Sequence, residues 1–407
     1  MTDPLSTPFR APFASDDGFD FDVRLALGHS VHGGAEPGEV LAAVAEVAAG
    51  DHAKWFDAWL GLGERLLAQG DAAAAAGHRV TAAARLLRAA NYLGFAVSAA
   101  AALDRPETLT GTFGRHRRAW TAFLAQSDLT IDEVPIAYDE AGLTGMLFTP
   151  EAPGPHRTLV LNNGSDEAVS RLWTDLGRPA LARGWAVFVY DGPGQQSQLF
   201  EHGVPFRPDW EAVLTPVVDA LRAHPDVDAS RLAVWGVSQS GFWVPRALTA
   251  EHRFAAAVAD PGVVDVSASW VRRMPAELLD LIRDGQDDTF DRIMDETMSH
   301  DPETAAMLRF RARPYGADAR LSVAYRAVLD YRLTAEQAAK IDTPLLITDP
   351  EGEQFWPGQS ATLAEWTHPH STLASFRAAD GAALHCQPMA RAQTAEVGLD
   401  WLEDVVG

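Results

Sequence analysis

The stretch Trp235-Gly236-Val237-Ser238-Gln239-Ser240-Gly241 constrains this chain more than any other. Before it, Arg231-Leu232-Ala233-Val234-Trp235 is a short apolar run that predicts a buried strand. After it, Phe242-Trp243-Val244-Pro245-Arg246-Ala247-Leu248 predicts the start of a helix. A serine on so tight a strand-to-helix turn sits in a strained backbone conformation, with its hydroxyl pushed out beyond the sheet edge. Strand and helix nearly touch there, so the residues two before and two or three after the serine must be small. Gly236, Ser240 and Gly241 meet that demand, with serine in place of the usual glycine two after Ser238. Ser240 is a poor rival nucleophile, because Phe242 would then occupy the crowded position. An ordinary Ser/Gly turn has the same pattern, so the rest of the chain must decide.

Around this turn the apolar pattern alternates between strands and helices. Strands are predicted at 129–136, 143–148, 158–162, 185–190, 232–235, 254–259, 344–348 and 371–376. Helices are predicted near 174–183, 210–223, 242–250, 359–366 and 389–405. Apolar strands separated by helices imply an α/β fold, a mainly parallel sheet with helices on both faces. From about 266 to 338 the strands stop and only helical pieces appear, an insertion between two sheet strands. Upstream of the sheet the chain is nearly all helix. Asp51 is placed to cap a helix carrying Trp55, Trp59, Leu62 and Leu66 on one face, punctuated at Gly70 and Asp71. Further helices are expected at 80–102 and 113–124. Residues 1 to about 36 are rich in Pro, Asp, Gly and Phe, lack a sustained period, and read as an extended arm. The division is therefore 1–127, an arm and helical lobe, and 128–407, the sheet domain with its helical insertion at about 266–338.

At 407 residues the chain is too long for one ordinary core, and 47% hydrophobic content suffices for a large one. The formal charge of −23 argues against nucleic acid or an anionic membrane as partner, since both need a basic surface. A small-molecule substrate is the expected partner. With one cysteine, Cys386, an intrachain disulfide is impossible, which fits a reducing, cytoplasmic location. Met1-Thr2-Asp3-Pro4-Leu5 lacks the basic start and apolar run of a signal peptide. No stretch reads as long and apolar enough to span a bilayer.

A nucleophilic Ser238 needs a base, an orienting acid and an oxyanion hole. His385 fits the base, lying in the loop 378–386 between the last strand and the last helix. The loop after the strand 344–348 holds Asp349, Glu351 and Glu353. Glu353 lies where the acid usually falls in such loops and is favoured; Asp260, ending the preceding strand, is the alternative. One oxyanion donor should be the N–H of Gln239. The other should be the N–H of Ser165, in the loop Asn162-Asn163-Gly164-Ser165, where Gly164 lets the backbone approach the substrate. Other motifs are weaker. Asp191-Gly192-Pro193-Gly194 lacks the spacing and lysine of a phosphate cradle and reads as a turn. His368-Pro369-His370 has no third ligand nearby and reads as an exposed turn. The tryptophans of the first lobe read as core, whereas Trp243 and Trp270 are candidates for pocket walls. No metal or organic cofactor is called for.

The chain resembles α/β-hydrolases that carry an N-terminal helical domain. That group includes the fermentation–respiration switch esterase-like proteins, the 2,6-dihydroxypseudooxynicotine hydrolase and the polyketide-shortening hydrolases. The resemblance rests on Gly77-His78, Leu86-Leu87-Arg88-Ala89-Ala90-Asn91-Tyr92, Asp191-Gly192-Pro193-Gly194-Gln195, Arg207-Pro208-Asp209-Trp210-Glu211, the Gly236 to Gly241 turn and His385-Cys386-Gln387. It covers most of the chain from about residue 40. It implies Ser238 as nucleophile and His385 as base, and it implies cleavage of esters or of carbon–carbon bonds beside a carbonyl in aromatic or polyketide-like substrates. Homodimers are common in the group. Its acid is usually aspartate, so Glu353 departs from the pattern. A serine peptidase of the same fold and a non-catalytic binding protein are the competing readings. The first needs an anchor for a peptide N-terminus that the sequence does not display, and intact Ser238 and His385 count against the second.

Overall fold

Eight strands form one sheet in the order β1-β2-β4-β3-β5-β6-β7-β8. They are β1 Thr130–Ile136, β2 Leu143–Thr149, β3 His156–Asn162, β4 Ala186–Tyr190, β5 Val227–Val237, β6 Ala256–Asp260, β7 Leu345–Pro350 and β8 Ser371–Phe376. The computed structural model describes residues 12–103, 105–139, 142–272, 274–317 and 320–407. The leader-free start expected at Met1 to Leu5 lies outside them. From β4 to β8 all neighbours pair parallel, and β1 and β2 add an antiparallel edge.

The central strands are apolar on both faces because both faces are covered. Leu159, Leu161, Val187, Val189, Ala233 and Trp235 pack into one core, while Val160, Phe188, Leu232 and Val234, alternating with them, pack into another. The first core continues without a break into the N-terminal helices, so lobe and sheet share a hydrophobic interior. Those helices are α1 Asp17–Gly28, α2 Pro37–Val44, α3 His52–Ala75, α4 Arg79–Ala99 and α5 Pro106–Gln126. The second core takes up Ile282, Phe290, Tyr325 and Val328 from the helices between β6 and β7.

Three expectations need correction. Residues 17–28, expected as extended arm, form α1, capped by the Asp16 carboxylate on the Gly18 and Phe19 N–H groups. Its buried face, Phe19, Val23, Ala26 and Leu27, has helical spacing, but a buried Asp20–Arg24 ion pair at 2.6 Å interrupts the apolar signal. Second, α3 runs through Gly70 and Asp71 to Ala75. Packing of α4 along it outweighs the roughly 1 kcal/mol that a mid-helix glycine costs. Third, Arg79–Leu103 is long and apolar enough to cross a membrane by length and composition, with a mean hydropathy of 1.4 over its best window. In this fold 78% of that window is buried, and Leu87, Tyr92, Leu93 and Phe95 fill the lobe's core.

Candidate active site

Ser238 follows the last residue of β5, and the helix Ser240–Leu248 begins two residues later. Its φ of +58° is a left-handed conformation that non-glycine residues adopt at a cost of about 1–2 kcal/mol. Its N–H donates to the Asp260 carbonyl at 2.7 Å, which fixes the turn against the end of β6. Ser240 is fully buried and its hydroxyl is taken by the Asn162 side chain.

The structure brings Ser238, His385 and Glu353 into one hydrogen-bonded chain. His385 Nε2 lies 2.9 Å from Ser238 Oγ, and His385 Nδ1 lies 2.9 Å from Glu353 Oε2. A carboxylate only accepts, so Nδ1 carries the proton and Nε2 is left to accept from the serine hydroxyl. The other Glu353 oxygen accepts the N–H groups of Phe355 at 2.9 Å and Trp356 at 3.2 Å, which fixes the carboxylate in its turn. The His385 ring is flanked edge-on by Phe355 and Trp356, and its backbone N–H donates to Gln354 Oε1 at 2.8 Å.

Asp260, the alternative acid, is committed elsewhere. Its buried carboxylate accepts the Thr348 hydroxyl at 2.7 Å and faces the Arg391 guanidinium at 3.6 Å. Glu351 binds the Ala378 N–H at 2.9 Å. Asp349 is half-buried, and burial and the Glu353 charge push its carboxyl up.

Burial pushes the Glu353 carboxyl up as well, but His385 and the two turn N–H groups outweigh it, so it stands below its usual range. Burial works against a charged His385. Its neighbours Cys386 and Glu353 lift the ring well above its usual range. Burial also drives the Cys386 thiol up to about 11. That thiol is neutral near pH 7, so Glu353 is the partner that supplies the charge.

The loop after β3 reaches Ser238 directly. A Cβ on Gly164 would lie 2.9 Å from the Ser238 Cβ, so only glycine allows this approach. Among the described residues, the backbone N–H groups of Ser165 and Gln239 donate to no protein acceptor. Gln195 sets the loop's orientation. Its side chain accepts the Gly192 N–H at 2.7 Å and donates to the carbonyls of Asn163 at 2.6 Å and Gly164 at 3.0 Å. The turn Asp191 to Gly194, read from sequence only as a turn, thus presents the residue that braces this loop.

Both helical parts reach the site. Phe21 of α1 meets Phe355 at 6.5 Å, next to His385. From the insertion, Tyr315 donates to Gln239 Oε1 at 3.0 Å, and Trp270 stands edge-on to Tyr315 at 5.3 Å. Trp243 is not a pocket wall. It is fully buried, stacked on Trp210 at 4.3 Å, with its indole N–H on the Arg207 carbonyl. Trp55, Trp59 and Trp120 are core, and His368 and His370 are exposed.

Residues 179–305 match the model of the prolyl oligopeptidase family. The chain is 30% identical over 361 residues to the hydrolase LUC6 of Fusarium sp, covering 84% of each protein. The chain belongs to the α/β-hydrolase family. This hydrolase is also 28% identical over 347 residues to the 20-hydroxy-prefusarin hydrolase FUS2 of Gibberella moniliformis, covering 83% of this chain and 82% of that one. Its fold is that of the solved 2,6-dihydroxy-pseudo-oxynicotine hydrolase, with a TM-score of 0.72 at 20% identity over 93% of this chain and 95% of that one.

Proposed function

We propose that this hydrolase cleaves an ester, or an activated carbon–carbon bond next to a carbonyl, in a small aromatic or polyketide-like metabolite. The observation that carries the reading is the unbroken chain from Glu353 through His385 to Ser238. His385 Nε2 takes the Ser238 proton as Oγ attacks the substrate carbonyl carbon. Negative charge then develops on the carbonyl oxygen, and the N–H groups of Ser165 and Gln239 hold it. A donor of this kind is worth roughly 3–4 kcal/mol of barrier. Collapse of the tetrahedral adduct expels the leaving group, which receives the proton from His385. The leaving group is an alkoxide from an ester, or a carbanion stabilised by an adjacent carbonyl or phenol. Water, deprotonated by His385, then releases the acyl group from Ser238. Glu353 holds the imidazole in its Nδ1–H form throughout and stabilises the imidazolium.

The choice of substrate class draws on the likeness in sequence to FUS2, a 20-hydroxy-prefusarin hydrolase, on a fold shared with the 2,6-dihydroxy-pseudo-oxynicotine hydrolase. A panel of p-nitrophenyl esters, β-diketones and aminoacyl anilides tests it. Turnover of esters or diketones that is lost in Ser238→Ala is expected. Turnover of the anilides alone would favour a peptidase and overturn the reading.

A further inference from the structure

Arg391, the first residue of the C-terminal helix Arg391–Val406, is buried and lies behind His385. Its Nη1 donates to the carbonyl of Cys386, the residue after His385, at 2.5 Å. Its Nε donates to Asp175 Oδ2 at 2.9 Å. The other Asp175 oxygen lies 2.6 Å from His29 Nδ1, just past α1. His29 Nε2 accepts from Arg171 Nε at 3.2 Å, and its Nδ1–H donates to Asp175. His29, Glu167 and Asp175 cluster closely enough to suggest a metal, but the two guanidiniums of Arg171 and Arg391 already serve those carboxylates. The cluster is a tether, and it spans residues 29, 171, 175 and 391.

The loop this tether grips stores strain. Leu384, Cys386 and Gln387 have φ of +77°, +55° and +44°, none of them glycine. Backbone in that region persists only where its surroundings over-determine it. The N-terminal segment also presses on the loop directly: a Cβ on Gly28 would lie 1.8 Å from the Pro388 carbonyl oxygen.

We propose that Arg391 is a positioning residue for His385, and that His29 at the end of α1 acts through it, so that seating of the N-terminal helix sets the geometry of the histidine. The inference rests on the proposed role of His385. Arg391 touches no reacting atom. It fixes the carbonyl beside His385, while the same guanidinium faces Asp260, whose carbonyl accepts the Ser238 N–H. One planar fork therefore references both the serine turn and the histidine loop to the N-terminal segment. A lysine keeps the charge but cannot make both bonds.

The test compares full-length parent, Arg391→Lys and His29→Leu. The readouts are the second-order rate of fluorophosphonate labelling at Ser238, its pH dependence, and the thermal unfolding midpoint. Both variants are expected to label at least about tenfold more slowly well below their unfolding midpoints. The acid limb of the labelling rate should also move to lower pH, as His385 loosens from Glu353. Labelling within twofold of the parent, or slowed only in proportion to the unfolded fraction with the acid limb unmoved, overturns the inference and leaves the proposed function standing. A parent that does not label at all overturns both.

Discussion

His385 Nδ1 lies 2.9 Å from Glu353 Oε2, while the Asp260 carboxylate, at the end of the neighbouring strand, is bonded to Thr348 and faces Arg391. Asp260 ends β6 and Glu353 lies in the turn just past β7, its parallel neighbour, so both acids sit at the same edge of the sheet. Their partners tell them apart. Glu353→Gln should lower kcat by roughly 10³–10⁴-fold, because an amide favours the wrong imidazole tautomer. Steady-state kinetics on the best ester of the panel measures this. Near-full activity in Glu353→Gln, with loss of orders of magnitude in Asp260→Asn, would reverse the assignment.

The acid limb of kcat/KM should lie above about 6.5, the ordinary imidazole value. The sign follows from His385, whose pKa is raised in the fold: the ring holds its proton further up the pH scale, and only the neutral ring accepts from Ser238. Glu353→Gln removes the charge that raises it, so the residual activity should show its limb at lower pH. A pH–rate profile from pH 5 to 9 decides, and an unmoved limb in the variant contradicts the account.

Much of the fold is readable in the sequence because β3, β4 and β5 are buried on both faces and so appear as unbroken apolar runs. The placement of Ser238 and His385 is readable from the order of strands, turns and helices. Helix α1 is not, because Asp20 and Arg24 neutralise each other inside its buried face. The choice between Glu353 and Asp260 is not readable either, since it depends on which side chains meet across the ends of β6 and β7. The bonds by which Gln195 holds the Asn163 and Gly164 carbonyls, and those of the His29–Asp175–Arg391 tether, are not readable, because each joins residues far apart in sequence.

Gln195→Leu should lower kcat by about 10–100-fold with KM little changed, since the donors it braces act on charge that develops only in the transition state. The carbonyls of Asn163 and Gly164 also lose a buried donor, at about 1–3 kcal/mol of stability. Parallel kinetics and urea unfolding test this. A variant that changes KM alone would place Gln195 outside the oxyanion loop's function.

Asp175 makes the fold sensitive to acid. Burial pushes its carboxyl up, but His29 and Arg391 outweigh this and hold it down at about 2, against 3.8 in the unfolded chain. A depressed carboxylate contributes stability that is present above its unfolded value and is lost as pH falls toward the folded one. On the order of 2 kcal/mol should therefore disappear between about pH 4 and 2. Urea unfolding across that range measures it, with Asp175→Asn expected to show a shallower dependence. Equal slopes in parent and variant would contradict the ionic tether.

The central claim is that Ser238 is the nucleophile of a hydrolase. Its most direct test is to treat the full-length protein with a fluorophosphonate probe and locate the adduct by peptide mass spectrometry. The account predicts one adduct, on Ser238, absent in Ser238→Ala and slowed in Glu353→Gln. No adduct on the parent protein, or equal labelling of Ser238→Ala, would contradict it.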